Sequence, residues 1–265
     1  MELDFVKINF VDKINFYFKF IIFICLTILL IFGKTFLQVF SKKISQKLIQ
    51  FFHKLLLWLI NINVEVNGKI NENKIPTLYV SNHLSYIDIP VLGSILNAKF
   101  IAKKEISSWP FAGYLSKVGN TIFIGRNLRF LKKNKSMILD HISKGDNIIL
   151  FPEGTTSDGI RVLKFKSSLL SSLEKKNILI QPIVIKYERI NGMPLNRWIK
   201  PVIAWYGDME LKPHLINLLK LFSIVAKITF LPTVNGKDFV NRKDMTSTLH
   251  HAIDKFYSDK MTKTF

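Results

Sequence analysis

The chain reads as an α/β protein: a mixed, mainly parallel sheet flanked by helices, preceded by an N-terminal membrane-associated helical segment. Three observations predict this. From residue 64 onward, short apolar runs alternate with segments of helical period, the pattern of strands joined by crossover helices. Residues 20–32 are apolar except for Thr27, and the run extends back to Ile14 with Asn15 and Lys19 interrupting it. That reaches the lower length limit for a helix that crosses a bilayer. The third observation is composition: 265 residues, 48% of them hydrophobic, 22 phenylalanines and a net charge of +19. This is enough length for one full core, with a surface suited to anionic partners.

The elements follow in order. Ahead of the apolar run, Glu2, Asp4 and Asp12 offset Lys7, Lys13 and Lys19, and no small-residue cleavage site follows it. The segment therefore lacks the marks of a signal peptide. Residues 36–60 keep Phe36, Phe40, Ile44, Leu48 and Phe52 at helical spacing, with Lys42, Lys43, Lys47 and Lys54 between them and Trp58 suited to headgroup depth. This predicts an interfacial amphipathic helix. Lysines directly after residue 33 obey the positive-inside rule and put the remainder on the cytoplasmic side. The division is a membrane-anchoring helical segment over 1–62 and an α/β domain over 63–265. Strands are predicted at 64–66, 77–80, 99–102, 121–124, 147–151, 178–185, 202–207 and 227–232. Helices are predicted near 86–96, 109–118, 128–143, 167–176, 211–221 and 243–257. In such a sheet the loops at 82–85, 103–105 and 152–157 converge at one edge, where ligands bind.

The run SNHLSYID carries the chemistry. On one helix His83 and Asp88 would diverge by about 140°. They meet only if His83 lies in a strand-to-helix loop and Asp88 in the helix's first turn reaches back. Ser85 is placed as the N-cap of that helix. A carboxylate so placed fixes one imidazole tautomer and leaves the other nitrogen free to accept a proton, the outline of a general base. The bland alternative is a capping box of Ser85 and Asp88. Further on, FPEGTTSDG offers Glu153 as acceptor for a substrate hydroxyl and Gly154 for close backbone approach. Thr155 and Thr156 there are donors to a phosphate or glycerol oxygen. Lys103 and Arg126 fall at strand ends as candidate phosphate ligands.

Other chemistries lack their signatures. There is no G-x-S-x-G elbow, no Walker loop and no H-E-x-x-H. Cys25 is the one cysteine, which excludes a C-x-x-C site and an intrachain disulfide. The histidines show no metal-ligand spacing, so no metal is expected. No zinc-finger or RNP pattern accompanies the charge, which points to anionic membrane lipid and away from nucleic acid.

These segments resemble the glycerolipid acyltransferase family typified by bacterial 1-acylglycerol-3-phosphate acyltransferase. The family's N-H-x-x-x-x-D block matches Asn82, His83 and Asp88. Its G-x-x-F-I-D-R block is approximated by Gly119 and FIGR, with Arg126 kept and Gly125 where Asp is usual. F-P-E-G-T-R-S matches Phe151 to Thr155 and Ser157, with Thr156 in place of Arg, and the apolar-Pro strand matches IQPIVI around Pro182. The resemblance implies that His83 deprotonates a lysolipid hydroxyl that attacks an acyl thioester, oriented by Asp88. It further implies that Asn82, Lys103, Arg126, Glu153, Gly154 and Thr155 serve the substrates. The implied donor is acyl-CoA or acyl carrier protein, without other cofactor. The implied acceptor is 1-acylglycerol 3-phosphate, with lyso-ornithine lipid as the alternative, since FPEGTTSDG and PVIAWYGDMELKPHL look like features of that bacterial branch. The implied place is the bacterial cytoplasmic membrane, with the catalytic domain facing the cytoplasm.

Overall fold

A computed structural model describes residues 10–71, 75–125, 128–171, 173 and 176–259. The chain enters through α1 (Phe10–Phe40) and α2 (Lys42–Leu59), and continues through β1 (Ile62–Asn67), β2 (Thr77–Ser81), α3 (Asp88–Ile95) and β3 (Lys99–Lys103). Next come α4 (Ala112–Val118), β4 (Ile122–Ile124), α5 (Leu131–Ser143), β5 (Ile148–Leu150), the single turn α6 (Ser167–Leu170) and the long β6 (Leu179–Ile190). The last part is β7 (Met193–Pro194), α7 (Leu211–Leu219), β8 (Ile224–Phe230), β9 (Val234–Asn235) and α8 (Arg242–Asp259).

The sheet runs β1-β8-β6-β2-β5-β3-β4. Every neighbouring pair along that path is parallel except β6 with β8. The short β7 and β9 pair antiparallel with β6. Side chains alternate between the faces of a strand. Tyr79, Ile149 and Ile183 therefore join the core under α3 and α7, while Leu78, Val80, Ile148 and Leu150 join the core with Ile138, Leu170 and Ile253 of the opposite helices. Burial on both faces is why these strands read as unbroken apolar runs.

Three expectations are corrected. The run 202–207 is not a strand: Lys200–Val202 forms one 3-10 turn and the chain then loops. A short apolar run is ambiguous by periodicity, and here the amide of Trp205 bonds Leu84's carbonyl at 3.0 Å, outside the sheet. The helix expected at 167–176 is confined to Ser167–Leu170. The interfacial helix expected over 36–60 begins after Ser41, whose extended backbone and Oγ, accepting from the Ile44 amide at 3.4 Å, start α2. Phe36 and Phe40 therefore belong to α1.

Helix α1 is long and apolar enough to cross a membrane, and only 17% of its most apolar window is buried. Asp12, Asn15, Lys19, Thr27 and Lys34 fall on one stripe of the helix that faces the rest of the protein, while Lys13, Thr35 and Gln38 are exposed. Asp12 pairs with Lys220 at 3.2 Å, and Asn15 and Lys19 donate to Leu219's carbonyl at 3.2 and 2.9 Å. Phe23 packs on Phe111. Lys34 donates to Val118's carbonyl and, at 2.9 Å, to Asn120 Oδ1. Helix α2 packs between α1 and α3, where Gln50 donates to the carbonyls of Ser94 and Ile95 at 3.1 and 2.9 Å.

Candidate active site

Strands β2, β5, β3 and β4 are parallel neighbours, so their carboxyl ends share one edge. His83 follows β2, Glu153 follows β5 and Lys103 closes β3. Arg126 lies outside the described residues, just beyond the end of β4.

At this edge His83 Nδ1 lies 2.8 Å from Asp88 Oδ2. The same oxygen accepts the amides of Leu84 at 2.7 Å and Ser85 at 3.0 Å. Oδ1 accepts the phenolic proton of Tyr187 at 2.7 Å. Asp88 is wholly buried, and His83 keeps a small exposed face. A carboxylate only accepts, so Nδ1 carries the proton and Nε2 offers its lone pair outward. The His83 ring stacks on Phe151 with centroids 4.0 Å apart and planes 11° from parallel, which fixes its orientation on a second axis.

The Ser85 cap is overturned. Helix α3 starts at Asp88, no side chain caps it, and Ser85 Oγ is buried without a partner. The carboxylate supplies the acceptors that close this turn, so Asp88 both organises the backbone and orients His83. These are the two roles that the sequence left as alternatives.

Glu153 is almost fully buried. Its Oε1 accepts the His83 amide at 2.7 Å and its Oε2 the Leu163 amide at 2.9 Å. Burial pushes its carboxyl up to about 8 against the pull of those two amides, and Asp88 and Asp158 add to the rise. Both oxygens thus brace the loop that carries His83. Asn82 is braced likewise: its amide donates to Ile185's carbonyl at 2.9 Å and accepts the Ile185 amide at 2.8 Å. Gly154 sits at φ +68°, where a side chain would be strained. Thr155 is exposed and Thr156 half-buried beside it. Ser157 ties the two loops together, its amide donating to the His83 carbonyl at 2.8 Å.

Three partners were not singled out from sequence. Tyr187 closes the second oxygen of Asp88, Phe151 backs His83, and Trp205 holds Leu84. The signal for Tyr187 was present: a phenol ending the apolar run IQPIVIKY on the same face as Ile183 and Ile185 needs a buried partner. At β4, a Cβ on Gly125 would come within 2.5 Å of the Phe130 ring, so that ring occupies the space a side chain would take. Among the described residues no cluster of His, Cys, Asp or Glu could hold a metal. A cavity of about 260 Å³ bordered by Lys47, His53, Lys99 and Asp146 lies at the opposite edge of the sheet.

The sheet edge and the His–Asp pair give this α/β fold the geometry in which a histidine can serve as a general base. The profile of the acyltransferase family matches residues 62–186. A lyso-ornithine lipid O-acyltransferase of Brucella abortus is 34% identical over 79% of this chain and 81% of its own length. The chain therefore belongs to the acyltransferase family. A 1-acyl-sn-glycerol-3-phosphate acyltransferase of Neisseria gonorrhoeae is 26% identical over 76% of each chain. The crystal structure of the 1-acyl-sn-glycerophosphate acyltransferase of Thermotoga maritima shares the fold with a TM-score of 0.61 at 20% identity, covering 93% of this chain and 99% of that one.

Proposed function

We propose that this enzyme transfers a fatty acyl group from a thioester donor to the free hydroxyl of lyso-ornithine lipid at an anionic membrane surface. The observation that carries the acceptor is the 34% identity over most of both chains with the Brucella enzyme of that name. This reverses the order of acceptors drawn from sequence. The site supports the change: Gly125 and Thr156 stand where the phosphate-acceptor pattern has a carboxylate and a guanidinium, and an ornithine headgroup has no phosphate to bind.

In the reaction, Nε2 of His83 takes the hydroxyl proton as the oxygen attacks the thioester carbonyl carbon. The tetrahedral adduct collapses, the carbon–sulfur bond breaks, and the departing thiolate takes the proton back from the imidazolium. Asp88 stabilises the imidazolium between these steps. Glu153 and Asn82 act by holding the loop, exposed Thr155 meets the substrates beside it, and Lys103 and Arg126 supply the positive charge for their anionic groups. The donor is acyl-CoA or acyl carrier protein, which places the domain on the cytoplasmic side. The second reading, 1-acylglycerol 3-phosphate as acceptor, rests on the gonococcal likeness.

The test is an assay of purified protein in lipid with both lysolipids and both donors. We expect turnover with lyso-ornithine lipid to exceed that with 1-acylglycerol 3-phosphate. His83→Ala should lower it about a hundredfold or more, as loss of a general base does. Preference for the phosphate acceptor selects the second reading, and near-normal turnover in His83→Ala discards the mechanism.

A further inference from the structure

We propose that the knob between β3 and α4 is a second membrane-inserting element, which seats the site edge on the acyl region of an anionic bilayer. It consists of Trp109, Phe111 and Tyr114, which are 43%, 45% and 54% exposed. Three neighbouring aromatic side chains held out at one point form an apolar patch that water alone does not favour.

The backbone is built to hold them there. Phe111 sits at φ +60°, ψ −58°, and the Ala112 amide bonds Pro110's carbonyl at 2.6 Å. That is a γ-turn with positive φ, rare and strained for a bulky side chain. Strain of this kind persists where the surroundings impose it, and it clusters at functional positions. The turn is supported from behind: a Cβ on Gly113 would lie 2.6 Å from the carbonyl oxygens of Ile106 and Ser107, so α4 is pressed against the preceding turn.

The occupant follows from what the knob touches. Its Phe111 ring meets Phe23 of α1 edge-on, with centroids 5.5 Å apart, and Ile21 of the same helix is 61% exposed. The aromatic patch therefore packs directly against α1, whose outward side is apolar. Exposed Lys104 and Lys117 flank it, on a chain of net charge +19, which suits anionic headgroups around an apolar insertion. The knob is joined to Lys103, at the edge that carries His83, by the single 3-10 turn Lys104–Ser108, so its insertion brings that edge toward the depth where acyl chains lie. The inference rests on the membrane reading of α1 and is independent of the acyl-transfer chemistry.

The experiment uses full-length protein with Cys25→Ser, labelled with an environment-sensitive fluorophore at one introduced cysteine: Ile21→Cys, Trp109→Cys, or His251→Cys as a distant exposed control. Vesicles of phosphatidylglycerol and phosphatidylcholine carry a nitroxide in the acyl chain. The expected result is quenching at 21 and 109 severalfold above that at 251. Quenching at 21 with position 109 matching 251 overturns the knob and leaves the α1 anchor standing. No quenching at either position overturns both. If position 109 is shielded only as the protein dimerises, the patch belongs to a second copy and the inference falls. Phe111→Gly supplies a second arm, since glycine accepts this turn without strain. Partition to the same vesicles should fall severalfold with melting in detergent retained, and unchanged partition overturns the proposal.

Discussion

Tyr187 donates its phenolic proton to Asp88 Oδ1 at 2.7 Å, on the side of the carboxylate away from His83. Asp88 thereby receives donors on both oxygens inside a dry core, and the imidazole meets an acceptor that cannot rotate. Burial, with Asp88 beside it, pushes the Tyr187 phenol well above its usual range, so the group stays a donor throughout working pH. The His83–Asp88 pair is thus a set of three linked positions, one of them on β6.

Tyr187→Phe should remove that donor and little volume. Leaving Oδ1 without a partner in a buried site costs about 1–3 kcal/mol of stability. A carboxylate free to swing should lower kcat by about tenfold with KM nearly unchanged, because the loss falls on the step in which the imidazolium forms. Steady-state kinetics with a thermal melt decide it. A lower melting temperature at unchanged kcat would reduce Tyr187 to a packing residue.

Glu153 ties stability to pH. Its folded-state value of about 8 lies above the ordinary 4.5, so the folded protein keeps a proton that the unfolded chain releases. The contribution to stability is complete below about pH 4.5, is lost as pH rises toward 8 and then levels off. Glu153→Gln cannot titrate, and it loses one of the two amide bonds because its NH₂ cannot accept. The variant should therefore melt below the parent at pH 5, with the gap closing toward pH 9. A gap that does not change over that range means that Glu153 is ionised throughout.

Much of this was legible in the sequence. The strands flanking His83 and Glu153 are short apolar runs bounded by Pro76, Pro152 and Gly154, and punctuation of that strength locates loops well. What escaped detection depended on long-range partners. Ser85 looks like a cap until Asp88, drawn in by Tyr187 and His83, takes the amides first. The bracing of the loop by Asn82 and Glu153 was not legible, because sequence does not reveal which backbone groups will stand opposite them. Residues 202–207 have strand composition, but the amides of Val202, Ile203 and Ala204 bond back to Ile199 and Lys200 in a local turn, and that of Trp205 bonds Leu84.

Gly125 gives a test of why this chain departs from the family's usual Asp there. The Phe130 ring fills the position of its missing side chain, and Lys104 Nζ lies 5.6 Å above that ring. Gly125→Asp must displace an aromatic ring, and overpacking of this kind costs about 1–3 kcal/mol. Adding Phe130→Ala in the same chain should recover part of that loss. The double variant is then expected to use 1-acylglycerol 3-phosphate no better than the parent, since a carboxylate repels phosphate unless a cation accompanies it. Equal melting of Gly125→Asp and parent would show that the ring is not what keeps the position empty.

Removing α1 separates anchoring from folding. Helix α2 is integral to the core, because Leu57 and Leu59 are buried and Gln50 caps the end of α3. A deletion through residue 60 would therefore uncover the domain. A deletion of residues 1–40 spares α2 and removes only the Leu30 side of the small α1–α2 cluster, together with the polar stripe from Asp12 to Lys34. That stripe makes its contacts with α4 and the end of α7, so its loss should lower the melting temperature without preventing folding. Membrane attachment should change in kind. The apolar face of α1 supplies salt-resistant binding, and the basic surface that remains supplies binding screened beyond roughly 8–10 Å at moderate ionic strength. Sedimentation with anionic vesicles at low and high salt reads the difference. The parent should pellet in both, and the truncated protein at low salt only. If the truncated protein still pellets at high salt, α1 is not the sole apolar anchor, and salt-resistant binding resides in the remaining domain, the knob of Trp109, Phe111 and Tyr114 included.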